Sequence, residues 1–429
     1  MSCFLFAAVS VNVFSQGGTK SPYSQFGIGI LSDESQGMSR GMNGVGIALR
    51  QGNQVNTLNP ASYAAADSLT MIFDAGLFGQ KSNYKEGSVQ KNASSGGFDY
   101  FTGQFRLLKG VGMSFGVLPY SNVGYSYNSY SSAILGTEKT VLETYEGSGG
   151  LHQAYVGVGV KLLKPLSVGA NIGYLWGDLK RSVTTEGGNV MNTLSKKYSA
   201  SVKNYKLDLG VQWEQPIGKV DRLTFGATMG IGHHLNADPE MSIVNQNHLS
   251  GNADTTRYVI TDGLELPMSY GVGVSYNHAN RLIVAVDAIL QKWGSVSFPA
   301  YDSKTNVYSL MSGILTDRTK VNVGCQWTPN PFSSRFHKRV NYRLGAGFAT
   351  PYYKINNNDG PKEISVSCGF GIPIFNGYYA NRPITSSSVL NISAQWVRSS
   401  AAGFITDNSF RLNIGITFNE RWFAKWKVE

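Results

Sequence analysis

Long apolar runs are missing from this sequence. Past the first fifteen residues no stretch approaches the roughly 18 uninterrupted apolar residues that a membrane-crossing helix needs, so a helical membrane protein is excluded. Charge is sparse, at 15% of residues. The net charge of +10 is carried by scattered Lys and Arg, not by the basic helix or stripe that nucleic-acid binding needs. A nucleic-acid partner is therefore set aside. Basic loops facing an anionic surface account for the charge better. Cysteine is scarce too. After Cys3 only Cys325 and Cys368 remain, in "VNVGCQW" and "VSVSCGF". They read as small apolar fillers, and the sequence leaves a bond between them open. The six histidines, His152, His233, His234, His248, His278 and His337, form neither an H-E-x-x-H nor a Cys/His ligand pattern. "GMNGVG" has the wrong glycine spacing for a dinucleotide loop, and G-x-S-x-G does not occur. No catalytic residue, metal ligand or cofactor is nominated, and the chain reads as a non-enzyme.

What is present is glycine, tyrosine and alternation. Glycine numbers 50 and tyrosine 23, against 14 prolines. From residue 68 onward apolar and polar residues alternate in segment after segment. A membrane β-barrel needs that pattern, because one face meets lipid and the other meets water. Strands are expected near 69–79, 97–108, 111–128, 152–163, 166–182, 199–215, 221–235, 267–277, 281–295, 318–328, 339–352, 362–375, 386–398 and 408–418. That is about 14, an even number as in bacterial single-chain barrels. Short joins, as at 109–110 and 164–165, alternate with long connections at 80–96, 129–151, 183–198, 236–266, 296–317 and 353–361. A soluble sandwich has no reason to sort its loops this way; a barrel with short periplasmic turns does.

The alternation also assigns faces. Phe410, Leu412, Ile414, Ile416 and Phe418 share the expected lipid face of the last strand, with Arg411, Asn413, Gly415 and Thr417 opposite. The same logic turns Asp208, Asp287 and Arg343 inward, so Asp208, Asp287, Arg343 and Arg411 are the lumen-facing candidates. Ile283 and Ile289 share the face of Asp287, an apolar contribution to the lumen. Tyr120, Tyr125, Tyr127, Tyr130, Trp293, Trp327, Trp396, Trp422 and Trp426 fit an interfacial aromatic girdle better than a ligand platform.

The first residues differ from the rest. "MSCFLFAAVSVNVFSQG" has the apolar core of a secretory signal without its basic n-region, which leaves the true start open; cleavage after Ser15 gives a signal peptide of residues 1–15. Residues 16–67 are glycine-rich with weak alternation, yet carry Phe26, Ile28, Ile30, Met38, Met42, Val45 and Ile47. A disordered arm has no use for these, and a barrel this wide has an interior that wall side chains alone do not fill. The segment is expected to fold inward as a plug, with the barrel over 68–419 and a periplasmic end at 420–429. "LNPASYAAAD", Leu58 to Asp67, would close the plug. Asn59 can bond its own neighbouring backbone, Pro60 fixes the turn, and the small residues from Ala61 to Ala66 can approach the wall.

The residues "RGMNGVGIAL…NTLNPASYAAAD", with Asn59, Pro60 and Ala61 as an Asn-Pro-Ala element, resemble the FadL-type outer-membrane transporters. So does "LPMSYGVGVSYN…LIVAVDAILQKWGSVSF", through Pro267, Asp287 and Trp293, with Gly294 where that family has serine. The resemblance implies a 14-stranded barrel with an N-terminal hatch in a Gram-negative outer membrane. It also implies passive uptake of long-chain fatty acids or other hydrophobic compounds, so a hydrophobic small-molecule ligand. "SPYSQFGIGIL", "LPYSNVGYSY" and "FNERWFAKWK" look like the branch of this family found in the Bacteroidetes. Some relatives there serve larger machines, in type IX secretion or beside the barrel-assembly machine. The alternative implied is a non-transporting adaptor with outer-membrane protein partners. A general porin, the third reading, is at odds with a filled lumen.

Overall fold

The structure, a computed structural model, describes residues 18–68, 70–131, 141–187, 192–247, 249–302, 305–374, 378–379, 382–383 and 388–420. The signal-peptide reading, His248, Trp422, Trp426 and all but the first residue of the 420–429 end lie outside the described residues. Fourteen strands of the described residues form the wall: β1 (Met71–Glu86), β2 (Val89–Leu108), β3 (Val111–Ser131), β4 (Val141–Lys161), β5 (Leu166–Glu186), β6 (Thr193–Ile217) and β7 (Asp221–Gly230), then β8 (Ser269–His278), β9 (Leu282–Gln291), β10 (Arg318–Trp327), β11 (Asn341–Ala349), β12 (Lys362–Pro373), β13 (Val389–Ser400) and β14 (Thr406–Glu420). Each pairs antiparallel with the next, and β14 pairs back onto β1 from Met71↔Glu420 to Lys85↔Thr406. The barrel is therefore closed, so the wall as a whole has no free end.

The expected faces follow from the pleat. Phe410, Leu412, Ile414 and Phe418 are exposed on the outside, while Asn413 and Thr417 are buried within. Across β10–β11–β12, Cys325 pairs with Leu344 and Leu344 with Cys368. The two thiols are free; two strand spacings, roughly 9–10 Å, exceed the reach of a disulfide. Among the described residues no helix is long and apolar enough to cross a membrane.

Two expectations are corrected. The connections at 80–96, 129–151 and 183–198 are not loops for most of their length. β1 and β2 run on to a tight turn at Gly87 and Ser88, and β6 is 25 residues long. A crossing needs only about 9–11 residues, so on this side the wall stands well clear of the membrane. Backbone pairing there satisfies polar groups that a loop would leave to water. The aromatics are corrected in part. Trp327 and Trp396 are exposed on the outside, but Tyr120, Tyr125 and Trp293 are buried in an interior cluster with Tyr23, Ile28, Tyr352 and Tyr353. Tyr120 sits at a break in the β3–β4 register and Trp293 just past the end of β9, while Tyr125 shares the inward face of Val123; burial of apolar surface stabilises all three there.

Candidate functional site

The lumen is occupied by residues 18–66, which touch inward-facing residues of wall strands around the barrel. Contact is close because the wall presents glycine. A methyl group built on Gly112 (β3), Gly169 (β5) or Gly210 (β6) would overlap Tyr63, Pro60 or Asn59. Further round the wall, one on Gly226 (β7) or Gly345 (β11) would overlap Ile47 or Met42. The floor of the barrel is thus shaped to the backbone of this segment.

Asn59 is fully buried and caps a 3-10 turn over Pro60–Ala65. Its Oδ1 accepts from Ala61 N–H at 3.1 Å, and its Nδ2 donates to Ile47 O at 2.8 Å and Val211 O at 3.1 Å. One amide therefore ties two parts of the segment to β6. Pro60 at the first position of the turn is pre-set in φ and gives up no needed donor. Ala61 is fully buried.

The four lumen candidates all face this segment or the space beside it. Asp287 Oδ2 accepts from Gly46 N–H at 2.6 Å and Ile47 N–H at 2.9 Å. Arg343 donates to Gln326 Oε1 at 2.7 Å and Asn391 Oδ1 at 2.6 Å, and its methylene carbons lie where a side chain on Gly41 would go. Asp208 receives Lys206 Nζ at 2.8 Å, and the same ammonium reaches Glu34 at 3.1 Å. Arg411 donates to Asp99 Oδ1 at 2.6 Å and lies 3.9 Å over the Phe78 ring. Ile283 packs inside with Met42 and Val45.

Sequence reasoning missed Asp99, Arg40, Asp33, Glu34 and Lys206. Asp99 is 1% exposed and holds two guanidinium groups, Arg411 and Arg40, the latter at 2.9 Å. Arg40 also meets Asp33 at 3.5 Å, which in turn lies 3.7 Å from Lys320. Burial pushes the Asp33 carboxyl up, but Lys320, Arg40 and Arg411 outweigh it and hold its pKa at about 2. Asp99 is a bulge residue: Gly76 pairs with Tyr100 and Leu77 with Phe98, leaving it over. A signal for it does exist in "FDYF". Phe98 and Phe101 are both exposed although three residues apart, and unbroken alternation forbids that.

Above the bulge the wall opens. β2 and β3 pair only from Phe101↔Val117 down to Leu108↔Val111. Higher up, the β2-facing edge of β3 is taken by the inner segment, through Ile30↔Asn122 and Leu31↔Ser121. Ser32 N–H donates to Tyr120 O at 2.9 Å, and Ser24 Oγ accepts from Gly124 N–H at 3.1 Å. The facing edge of β2, Val89–Tyr100, has no backbone partner among the described residues. A cavity of about 140 Å³ lies against β6 to β10 and reaches Ser32 and Tyr120. Its wall is mixed: nine apolar or aromatic residues, Ile47, Leu58, Met229, Ile231, Leu266 and Ile289 among them, line it together with Asp33, Glu34, Lys206, Asp208, Arg318 and Lys320.

The model of one protein family, BamG, matches the chain over residues 1–429. The chain belongs to the BamG family. Its barrel is similar to solved hydrocarbon channels. The P. putida toluene transporter TodX is 15% identical, with a TM-score of 0.63 over 92% of this chain and 100% of that one. The Ralstonia pickettii toluene transporter TbuX is 14% identical, with a TM-score of 0.61 over 90% and 98%. A Pseudomonas aeruginosa FadL homologue is 10% identical, with a TM-score of 0.58 over 91% and 98%. At these identities the likeness is one of fold. No curated protein matches the chain. The BamG-family barrel thus shares the FadL-type architecture expected from its Asn-Pro-Ala element, under a family description of its own.

Proposed function

We propose that this BamG-family chain is a plugged outer-membrane barrel that works as an accessory subunit of a larger outer-membrane complex, of the barrel-assembly or type IX secretion kind, in a Gram-negative cell. The observation that carries this reading is the lumen. The inner segment is bonded to the wall by Asn59, Asp287 and Arg40, and the cavity beside it is lined by six charged side chains. A hydrophobic compound gains by leaving water for apolar surroundings; here the apolar wall is interrupted by three carboxylates and three cationic groups. Asn59, Pro60 and Ala61, with Asp287, Arg343 and Arg411, are assigned to holding the plug, and Asp208 to the cavity wall.

Uptake of a hydrophobic compound, long-chain fatty acid included, is the second reading. Two observations favour it: the FadL-type fold, and the gap between β2 and β3, a sideways opening in the wall. Solubilisation in mild detergent separates the two. A stoichiometric complex with other outer-membrane proteins, with labelled fatty-acid and toluene uptake unchanged on deletion of the gene, is the expected result. A lone monomeric barrel whose loss lowers uptake would overturn it. The lipid-facing belt fits outer-membrane lipid, and the rims fit lipopolysaccharide or phospholipid headgroups.

A further inference from the structure

We propose that the upper edge of β2, Val89–Tyr100, is a docking edge on which an extended segment of another outer-membrane protein adds as a β-strand. The inference rests on the accessory-subunit reading and says where the partner binds. A strand has two hydrogen-bonding edges. On β2 one is used by β1, from Glu86↔Val89 to Gly76↔Tyr100. The other carries the N–H and C=O groups of alternate residues along this twelve-residue stretch, with no backbone partner among the described residues. Below Phe101 the same edge is satisfied by β3.

The barrel does not zip this seam shut on its own. The edge of β3 that would complete it is already covered from within by Ser24, Ile30, Leu31 and Ser32. Closure would displace the inner segment, while Asp99 at the base of the seam is held to that segment by Arg40. What remains open is an array repeating at about 3.3 Å per residue, which an extended polypeptide matches and a small molecule does not.

Side chains define the partner further. The edge runs through Ser94, Ser95, Gly96 and Gly97, so close approach is unobstructed; a methyl group on Gly97 would meet only the Phe78 ring at 3.8 Å. Lys81, Lys85 and Lys91 are exposed on the hairpin against one acid, Glu86. Phe98 and Leu77, 51% and 60% exposed, flank its lower end. The matching segment is extended, acidic where it passes Lys91 near the hairpin tip, and apolar at the opposite end beside Phe98.

The test uses the full chain in its own outer membrane. A photoreactive phenylalanine is placed singly at Asn92, Ala93, Ser94, Ser95 and Gly96, and crosslinked residues are mapped by mass spectrometry. Docking predicts one partner whose crosslinked position moves two residues for every two along β2. Proline substitutions supply the second arm. Successive N–H groups of β2 point alternately to β1 and to the seam. Of Ala93→Pro and Ser94→Pro, one should therefore leave thermal stability unchanged while lowering the crosslink yield at Gly96 at least tenfold. Crosslinks to lipid alone, a single fixed partner position, or no loss with either proline would overturn the inference. If a complex co-purifies but no such ladder appears, the docking edge is wrong and the accessory reading stands. If neither is seen, both fall.

Discussion

Replacing Asp287 by alanine should release the inner segment without unfolding the barrel. The carboxylate is 1% exposed and sits on β9, in the wall. It accepts two backbone N–H groups from Gly46 and Ile47. Hydrogen bonds to a charged group are each worth about 1.5–3 kcal/mol, and a buried donor left without a partner costs a similar amount. Losing both bonds at once should cost locally about 3 kcal/mol, twice the low end for one such bond. The wall should hold, because β9 keeps its ladders to β8 and β10. Three kcal/mol is a little over two decades in an equilibrium constant. Amide exchange at Gly46 and Ile47 should thus accelerate about a hundredfold, while exchange in β8 to β10 stays unchanged. Asp287→Asn, which keeps an acceptor oxygen without the charge, should fall between. If the alanine variant exchanges at the wild-type rate at both amides, the carboxylate is not what holds the segment, and the plug rests on packing alone.

Other outcomes follow from the same geometry. Gly169→Val on β5 should displace the Asn59–Ala65 turn, since even a methyl group there overlaps Pro60; overpacking costs about 1–3 kcal/mol, read as new protease sensitivity within residues 50–66. Acid should loosen the segment through Asp33. Its carboxyl is held below its ordinary value, so its ion pairs with Arg40 and Lys320 contribute fully above about pH 4 and are lost as pH falls toward about 2. Protease protection of the segment should drop across that interval, and Asp33→Asn should remove the step. On the outer face, Ile414→Arg should cost about 2–4 kcal/mol if the site lies at the bilayer midplane, measured by refolding into liposomes. Ile414 is 48% exposed there, whereas Asn413→Ala, one residue away but turned inward, should change this far less.

Much of this barrel is determined by the sequence alone. Alternation has a period of two, and each lipid-facing position must be apolar, so the existence, number and facing of the fourteen strands are local facts. The Asn-Pro-Ala element is local too: Asn59 caps its own turn through Ala61, and Pro60 begins it. Strand length is less legible. Beyond the membrane no face needs to be apolar, so Gln80 to Gly96 reads as loop although its backbone is paired. The tertiary structure alone decided the rest. That Asn59 reaches Val211, that Asp99 gathers Arg40 and Arg411, and that Trp293 turns inward are contacts across long stretches of chain. No local pattern encodes them. The clearest case is the seam. β2 carries ordinary strand residues, and its edge is free where Ile30 and Leu31 hold the edge of β3 that β2 would otherwise pair with.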